Sequence, residues 1–144
     1  GERYCFELIT GPMSCGKTEE LLRRIRRCII AKKKVKVISP DVDTRAKGDY
    51  IESRNGLWLD AIKVKHSIQL LSVVKPEDEI IAIDELQFFD SNIVKVISKL
   101  KSSKPEFIIL PVLSIKPTSK VFLSPTTNPI NFSQLINILS SFPG

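Results

Sequence analysis

The stretch Gly11-Pro12-Met13-Ser14-Cys15-Gly16-Lys17-Thr18 decides how this chain folds. It fits the phosphate-binding pattern G-x-x-x-x-G-K-[ST] at every position. In such a loop successive backbone N–H groups curl around a phosphate chain, the lysine reaches the β- and γ-phosphates, and the hydroxyl of the last residue ligates Mg²⁺. The flanking residues suit it. Cys5 to Thr10 reads as a short buried strand, and Thr18 to Ala31 reads as a helix. A strand, loop and helix in that order set the phosphates on the positive end of a helix dipole. Gly11, Pro12, Met13, Ser14, Cys15, Gly16, Lys17 and Thr18 are therefore the expected nucleotide-binding residues, with Thr18 on the metal.

Outward from the loop, strand-like and helix-like segments alternate. Val35 to Ser39 reads as a second strand closed by Pro40. A polar connection over residues 40–56 follows, with a turn at Asn55-Gly56. Leu57-Trp58-Leu59 and Ala61 to Val64 suit short strands, and Ser67 to Val74 a helix. Glu79 to Ile83 is an apolar run of the kind found in central parallel strands. Asn92 to Leu100 carries a helical stripe (Ile93, Val96, Ile97, Leu100), and Phe107 to Leu110 reads as one more buried strand. The alternation predicts an α/β fold, a three-layer P-loop NTPase type with a mainly parallel sheet. The division expected is a P-loop kinase-like domain over residues 1–110, with 111–144 as a divergent Pro/Ser-rich tail of the same domain. In that tail Asn131 to Phe142 reads as a helix with an Asn or Ser cap.

Composition narrows the class. A chain of 144 residues can bury about two-thirds of its unfolded surface, enough for one real core. No stretch approaches the roughly 20 apolar residues that span a bilayer, so no membrane association is expected. Cys5, Cys15 and Cys28 are odd in number, widely spaced and without a C-x-x-C pair. Neither a zinc site nor disulfides are expected, and a cytoplasmic setting is. The net charge of +6 comes from one segment: eight of the 22 basic residues lie between Arg23 and Lys36 with no acid among them, and the remaining 14 face 16 acids. Leu21, Leu22, Ile25, Cys28 and Ile29 follow helical spacing, which leaves the arginines on a solvated opposite face. No aromatic residues interleave with these bases, so no nucleic-acid partner is expected. Trp58 is read as a packing residue and His66 as a surface residue at a helix start.

A P-loop needs a carboxylate at the end of a neighbouring strand to hold the water shell of Mg²⁺, and Asp84 follows the apolar run directly. Glu85 comes next, then Leu86-Gln87-Phe88-Phe89. Adjacent acids at a strand end point to different sides and can divide the work. Asp84 faces the metal, and Glu85 is a general base for an attacking hydroxyl or water.

Taken together, Gly11-Pro12-Met13 with Gly16 to Arg24, Pro40 with Asp43-Thr44-Arg45, and Asp84-Glu85-Leu86-Gln87-Phe88-Phe89 resemble the cytosolic (type II) thymidine kinases in order and spacing. Ser53-Arg54-Asn55-Gly56 is similar to a polar-Asn-Gly element of that family. The resemblance covers roughly residues 4–110. It implies transfer of the ATP γ-phosphoryl to the 5′-hydroxyl of thymidine or deoxyuridine, a step in supplying DNA synthesis. By matching positions it implies Glu85 as base, Asp84 on the Mg²⁺ shell, and Lys17 and Thr18 on phosphate and metal. It implies Arg45 as a catalytic cation oriented by Asp43, with Leu86 and Gln87 in the nucleotide-binding motif and Phe88 as packing. ATP and Mg²⁺ are the implied cofactors, a small nucleoside the substrate, and a homotetramer the implied assembly.

The chain also departs from the family. Ser14 stands where the family has an aromatic, which thins the wall expected around the base. Leu110 to Pro117 lacks the family's Gly-Leu-Asp and Phe-Arg-Gly signatures, with only a faint echo at Lys120-Val121-Phe122. The family's zinc-bearing C-terminal domain and lasso are missing. A diverged kinase, a truncated or frameshifted one and a chain with a part left out all fit, each with impaired acceptor binding. Two other readings stay open: a fragment of a helicase-type ATPase motor, which also pairs a P-loop with Asp-Glu-x-Gln, and a non-catalytic ATP-binding module.

Overall fold

The computed structural model describes residues 6–11, 16–41, 50–52, 58–102, 105, 107–113 and 126–140. Among the described residues the strands are β1 (Phe6–Gly11), β2 (Val35–Pro40), β3 (Tyr50–Glu52), β4 (Trp58–Asp60), β5 (Ile62–Val64), β6 (Ile80–Ile83), β7 (Phe107–Leu113) and β8 (Thr126–Ile130). The helices there are α1 (Lys17–Ile30), α2 (Leu70–Val73), α3 (Ile93–Ser102) and α4 (Phe132–Leu139). A short 3₁₀ turn over Ser67–Gln69 precedes α2, and another over Leu86–Phe88 follows β6. Six strands form one sheet in the order β5-β2-β6-β7-β1-β8. The first five run parallel, and β8 closes the β1 edge antiparallel. The mixed α/β class and mainly parallel sheet expected from the sequence are thus present.

Alternation along the strands sorts side chains into two cores, one on each face of the sheet. Ile9, Val37, Ile80, Ala82 and Ile109 meet Leu21, Leu22 and Ile25 of α1, with Ile51 and Ala61 completing that layer. On the other face Phe6, Leu8, Ile38, Ile81, Ile83 and Ile108 meet Ile93, Val96, Ile97 and Leu100 of α3 and Leu135 and Leu139 of α4. The result is three layers. The apolar stripe of α1 is pinned to the sheet by polar contacts as well: Arg24 donates to Glu7 of β1 at 2.6 Å and to Glu20 at 3.0 Å. Among the described residues no helix is long and apolar enough to cross a membrane.

Three features go beyond the sequence reading. Tyr50–Glu52, inside the expected polar connection, is a strand paired with β4, and its Ile51 is buried. The turn expected at Asn55-Gly56 falls outside the described residues. Strand β7 runs on through Pro111, so the boundary placed at residue 110 lies within a strand. Pro111 is tolerated because the last β6–β7 pair is Ala82↔Ile109, which leaves β1 as its neighbour. Finally, β8 and α4 return residues 126–139 to the core: β8 pairs with β1 along five positions, and Phe132 lies 6.0 Å from Phe6, ring to ring. Helix α4 starts as its sequence predicts, with the Asn131 side chain and Gln134 capping one another reciprocally.

Candidate active site

The parallel strands β1, β6 and β2 end on one edge of the sheet, where open α/β folds bind their ligands. Strand β1 ends at Gly11, and α1 begins at Lys17 on the same side. Gly16, just before the helix, has φ 91° and ψ 25°, a left-handed conformation that side chains resist. Among the described residues a Cβ there would meet nothing within 4 Å, so the backbone angle is the observed reason for glycine. No side chain caps α1, and acids Glu19 and Glu20 occupy its first turn. The N-terminus of such a helix is the end where an anion is favoured.

Strand β6 supplies the acids. Asp84 is 5% exposed, and its N–H donates to the Ile38 carbonyl of β2 at 2.9 Å, which continues the ladder one residue past the strand. Ala82 lies on the α1 face, so Asp84 does too. Burial pushes its carboxyl up to about 7, and the neighbouring Glu85 charge adds to the rise; the Glu85 N–H and the charges of Lys63 and Lys17 pull the other way. Lys17 and Asp84, far apart in sequence, are therefore electrostatic neighbours.

Glu85 follows Asp84 directly. Its backbone is left-handed (φ 52°, ψ 48°), a strained state for a residue with a side chain, and strain of this kind gathers at functional sites. Local bonds hold it there: its N–H donates to Asp84 Oδ1 at 3.0 Å, and its carbonyl accepts from the Phe88 N–H at 3.0 Å. Its carboxylate accepts from Gln87 Nε2 at 2.7 Å. The 3₁₀ turn then buries Leu86 and leaves Phe88 54% exposed. Phe88 therefore does not take the packing role expected of it. Phe89 packs against the core, and the two adjacent rings cannot both point inward.

The far end of this loop is anchored by Asp90, which accepts from the N–H and hydroxyl of Ser67, both at 2.8 Å. Burial works against ionisation of Asp90, but these bonds, with those from its own and the Asn92 N–H, hold its carboxyl below the ordinary value.

A family model described as thymidine kinase matches residues 5–139. The chain belongs to the thymidine kinase family. Its membership makes it kin to transferases that phosphorylate small nucleosides. The match also corrects the reach of the resemblance, which was expected to stop near residue 110: it continues through β7, β8 and α4.

Of the residues the family resemblance marks, Gly11, Gly16, Lys17, Thr18, Asp84, Glu85, Leu86 and Gln87 fall on described elements around one edge of the sheet. Pro12, Met13, Ser14, Cys15, Asp43 and Arg45 lie outside the described residues, as do Lys120 to Phe122. The donor chemistry fits Mg²⁺: a carboxylate at a strand end and a hydroxyl in the first helical turn are hard oxygen ligands. Magnesium is held by one or two carboxylates plus substrate phosphates, so it needs no protein cage. Among the described residues no three His, Cys, Asp or Glu side chains converge as a metal cage. Two polar residues at this edge escaped the sequence reading. Ser39 is buried, and Lys63 donates to its hydroxyl at 3.4 Å. Neither belongs to a motif, and only the strand register reveals them.

Proposed function

We propose that this chain is an ATP-dependent thymidine kinase, which transfers the γ-phosphoryl of ATP to the 5′-hydroxyl of thymidine or deoxyuridine. The observation that carries the reading is that Lys17, from the phosphate-loop pattern, and the buried Asp84 after β6 are electrostatic neighbours. Glu85, next to Asp84, sits on a left-handed backbone with its carboxylate held by Gln87.

In this reading Lys17 and the N–H groups at the start of α1 bind the triphosphate, together with the rest of the Gly11 to Thr18 pattern. Thr18 and Asp84 would hold Mg²⁺, Asp84 through water; when bound, the ion neutralises charge on the phosphate oxygens. One Glu85 carboxylate oxygen stays on the Gln87 amide, and the other accepts the 5′-hydroxyl proton as that oxygen attacks phosphorus. Gln87 thus orients the base. Arg45, oriented by Asp43, neutralises charge on the transferring phosphoryl. The exposed ring of Phe88, three residues past the base, offers a flat apolar face to the pyrimidine.

The test is direct. Incubated with Mg-ATP and thymidine, the chain should yield thymidine monophosphate. Glu85→Gln should lower turnover by a factor on the order of 10² to 10⁴ with ATP still bound, the range for loss of a general base. Lys17→Ala should abolish ATP binding itself. No product above the Glu85→Gln control would refute catalysis, and stimulation of ATP hydrolysis by DNA would point to a motor instead.

A further inference from the structure

The turn that carries Glu85 is tied to other elements at both ends. At its start the Asp84 N–H donates to the Ile38 carbonyl of β2 at 2.9 Å. At its end both oxygens of the Asp90 carboxylate are taken by one distant residue. Oδ1 accepts the Ser67 N–H and Oδ2 the Ser67 hydroxyl, each at 2.8 Å. Ser67 opens the 3₁₀ turn before α2 and is fully buried, whereas Asp90 is exposed. The Asp90 carbonyl also accepts the N–H of Ile93, the first residue of α3, at 3.0 Å, and Oδ2 accepts the Asn92 N–H at 3.3 Å. One side chain thus joins the end of the Glu85 turn to the corner after β5, at the point where α3 begins.

Glu85 gives this clasp a task. Its left-handed backbone is a strained state that persists only where the surroundings over-determine it. The bonds inside the turn, from Phe88 N–H to the Glu85 carbonyl at 3.0 Å and from Phe89 N–H to the Leu86 carbonyl at 3.2 Å, move with the turn and do not fix its end. Buried Leu86 and the packed Phe89 ring seat its middle. Asp90 fixes the downstream end, through paired bonds to a carboxylate, the stronger class of hydrogen bond. With that end released, the turn can uncurl, Glu85 can relax to an ordinary conformation, and its carboxylate leaves its 2.7 Å contact with the Gln87 amide.

We propose that Asp90 is a positioning residue for Glu85: clasped on Ser67, it keeps residues 85–89 curled and so holds the Glu85 carboxylate in place. The role of Glu85 as base rests on the kinase reading given above; the clasp on the turn does not.

The experiment uses the full chain labelled with nitrogen-15, with amide hydrogen exchange read residue by residue. Asp90→Ala removes both bonds to Ser67, and Ser67→Ala removes only the hydroxyl one. The Phe88 and Phe89 amides should exchange about tenfold faster in Asp90→Ala, the low end for losing hydrogen bonds to a charged group, and less so in Ser67→Ala. Asp90→Asn, which keeps one acceptor oxygen, should recover part of the protection. Amides of β6 should keep their wild-type rates in all three, which shows that the fold is kept. With saturating thymidine and Mg-ATP, Asp90→Ala should lower kcat about tenfold with the KM for ATP unchanged, as expected of a misplaced catalytic group. In the Glu85→Gln background it should lower kcat no further, an outcome that general loosening would not give. Unchanged exchange at Phe88 and Phe89 overturns the proposal, as does equal acceleration in the turn and in β6, or an unchanged kcat in an active enzyme. Should Asp90→Ala fail to fold, Ser67→Ala carries the same comparisons. Failure of the kinase reading looks different: the wild-type chain forms no thymidine monophosphate, yet the turn amides respond to the clasp as stated. The clasp then stands, and only the role of Glu85 as base falls.

Discussion

Asp84 and Glu85 are adjacent residues that the fold treats in opposite ways. Asp84 is buried near two lysines, and Glu85 holds a left-handed backbone at a cost of about 1–2 kcal/mol. The Asp84 environment makes a prediction about pH. Its carboxyl, raised from its ordinary value to about 7, is protonated in both folded and unfolded chains below about pH 4. Between there and pH 7 the unfolded chain ionises while the folded one keeps its proton, so stability falls across that window and then levels off. The full cost is on the order of 4 kcal/mol, from about three pKa units at 1.36 kcal/mol each. In the absence of Mg²⁺ and ATP, Asp84→Asn should therefore raise the melting temperature, more at pH 8 than at pH 5. Equal gains at the two pH values would show that Asp84 carries no such burden.

At the scale of elements, helix α1 was legible and the strand that completes the sheet was not. Leu21, Leu22 and Ile25 announce the buried stripe of α1, and all three are fully buried. The phosphate-loop pattern announces its start. Gly16 carries the corresponding prediction: Gly16→Ala should cost about 1–2 kcal/mol in denaturant unfolding from its left-handed backbone, since among the described residues its Cβ would meet nothing within 4 Å. A larger loss would mean that the loop packs more tightly there. By contrast Thr126–Ile130 of β8 contains Asn128 and Pro129, which local propensity assigns to a turn. It is a strand because β1, over a hundred residues earlier, offers it an edge, and an edge tolerates proline. Lys63 was hidden for a similar reason. In sequence it is one lysine of a short strand, and only the register of β5 on β2 brings it to Ser39. Local periodicity finds the motifs and the helices; it cannot find a contact that runs across strands. Phe88 and Phe89 show the same limit on a smaller scale, since the turn after β6 decides which ring is buried.

At the scale of the molecule, the question is whether residues 126–139 are an appendage or part of the unit that holds the site. The packing answers through β1, the strand that leads into the phosphate loop: it is flanked by β7 on one side and β8 on the other. Below it, Phe6 touches Phe132, and Ile130, Leu135 and Leu139 share a core with α3. Loosening α4 should therefore loosen the strand that carries Gly11. Leu135 is fully buried in that core, and Leu135→Ala leaves a cavity worth about 2–5 kcal/mol. If the segment belongs to one cooperative unit, urea unfolding followed by far-UV circular dichroism and by Trp58 fluorescence should shift together to a lower midpoint in a single transition. Mg-ATP should then recover part of the loss by binding the folded state. If α4 and β8 were an appendage, the variant would instead show a small early transition by circular dichroism, with the Trp58 transition and the effect of Mg-ATP unmoved. The pairing of β8 along the length of β1 argues for the first outcome, because a strand cannot leave one edge of β1 without exposing the core beneath it.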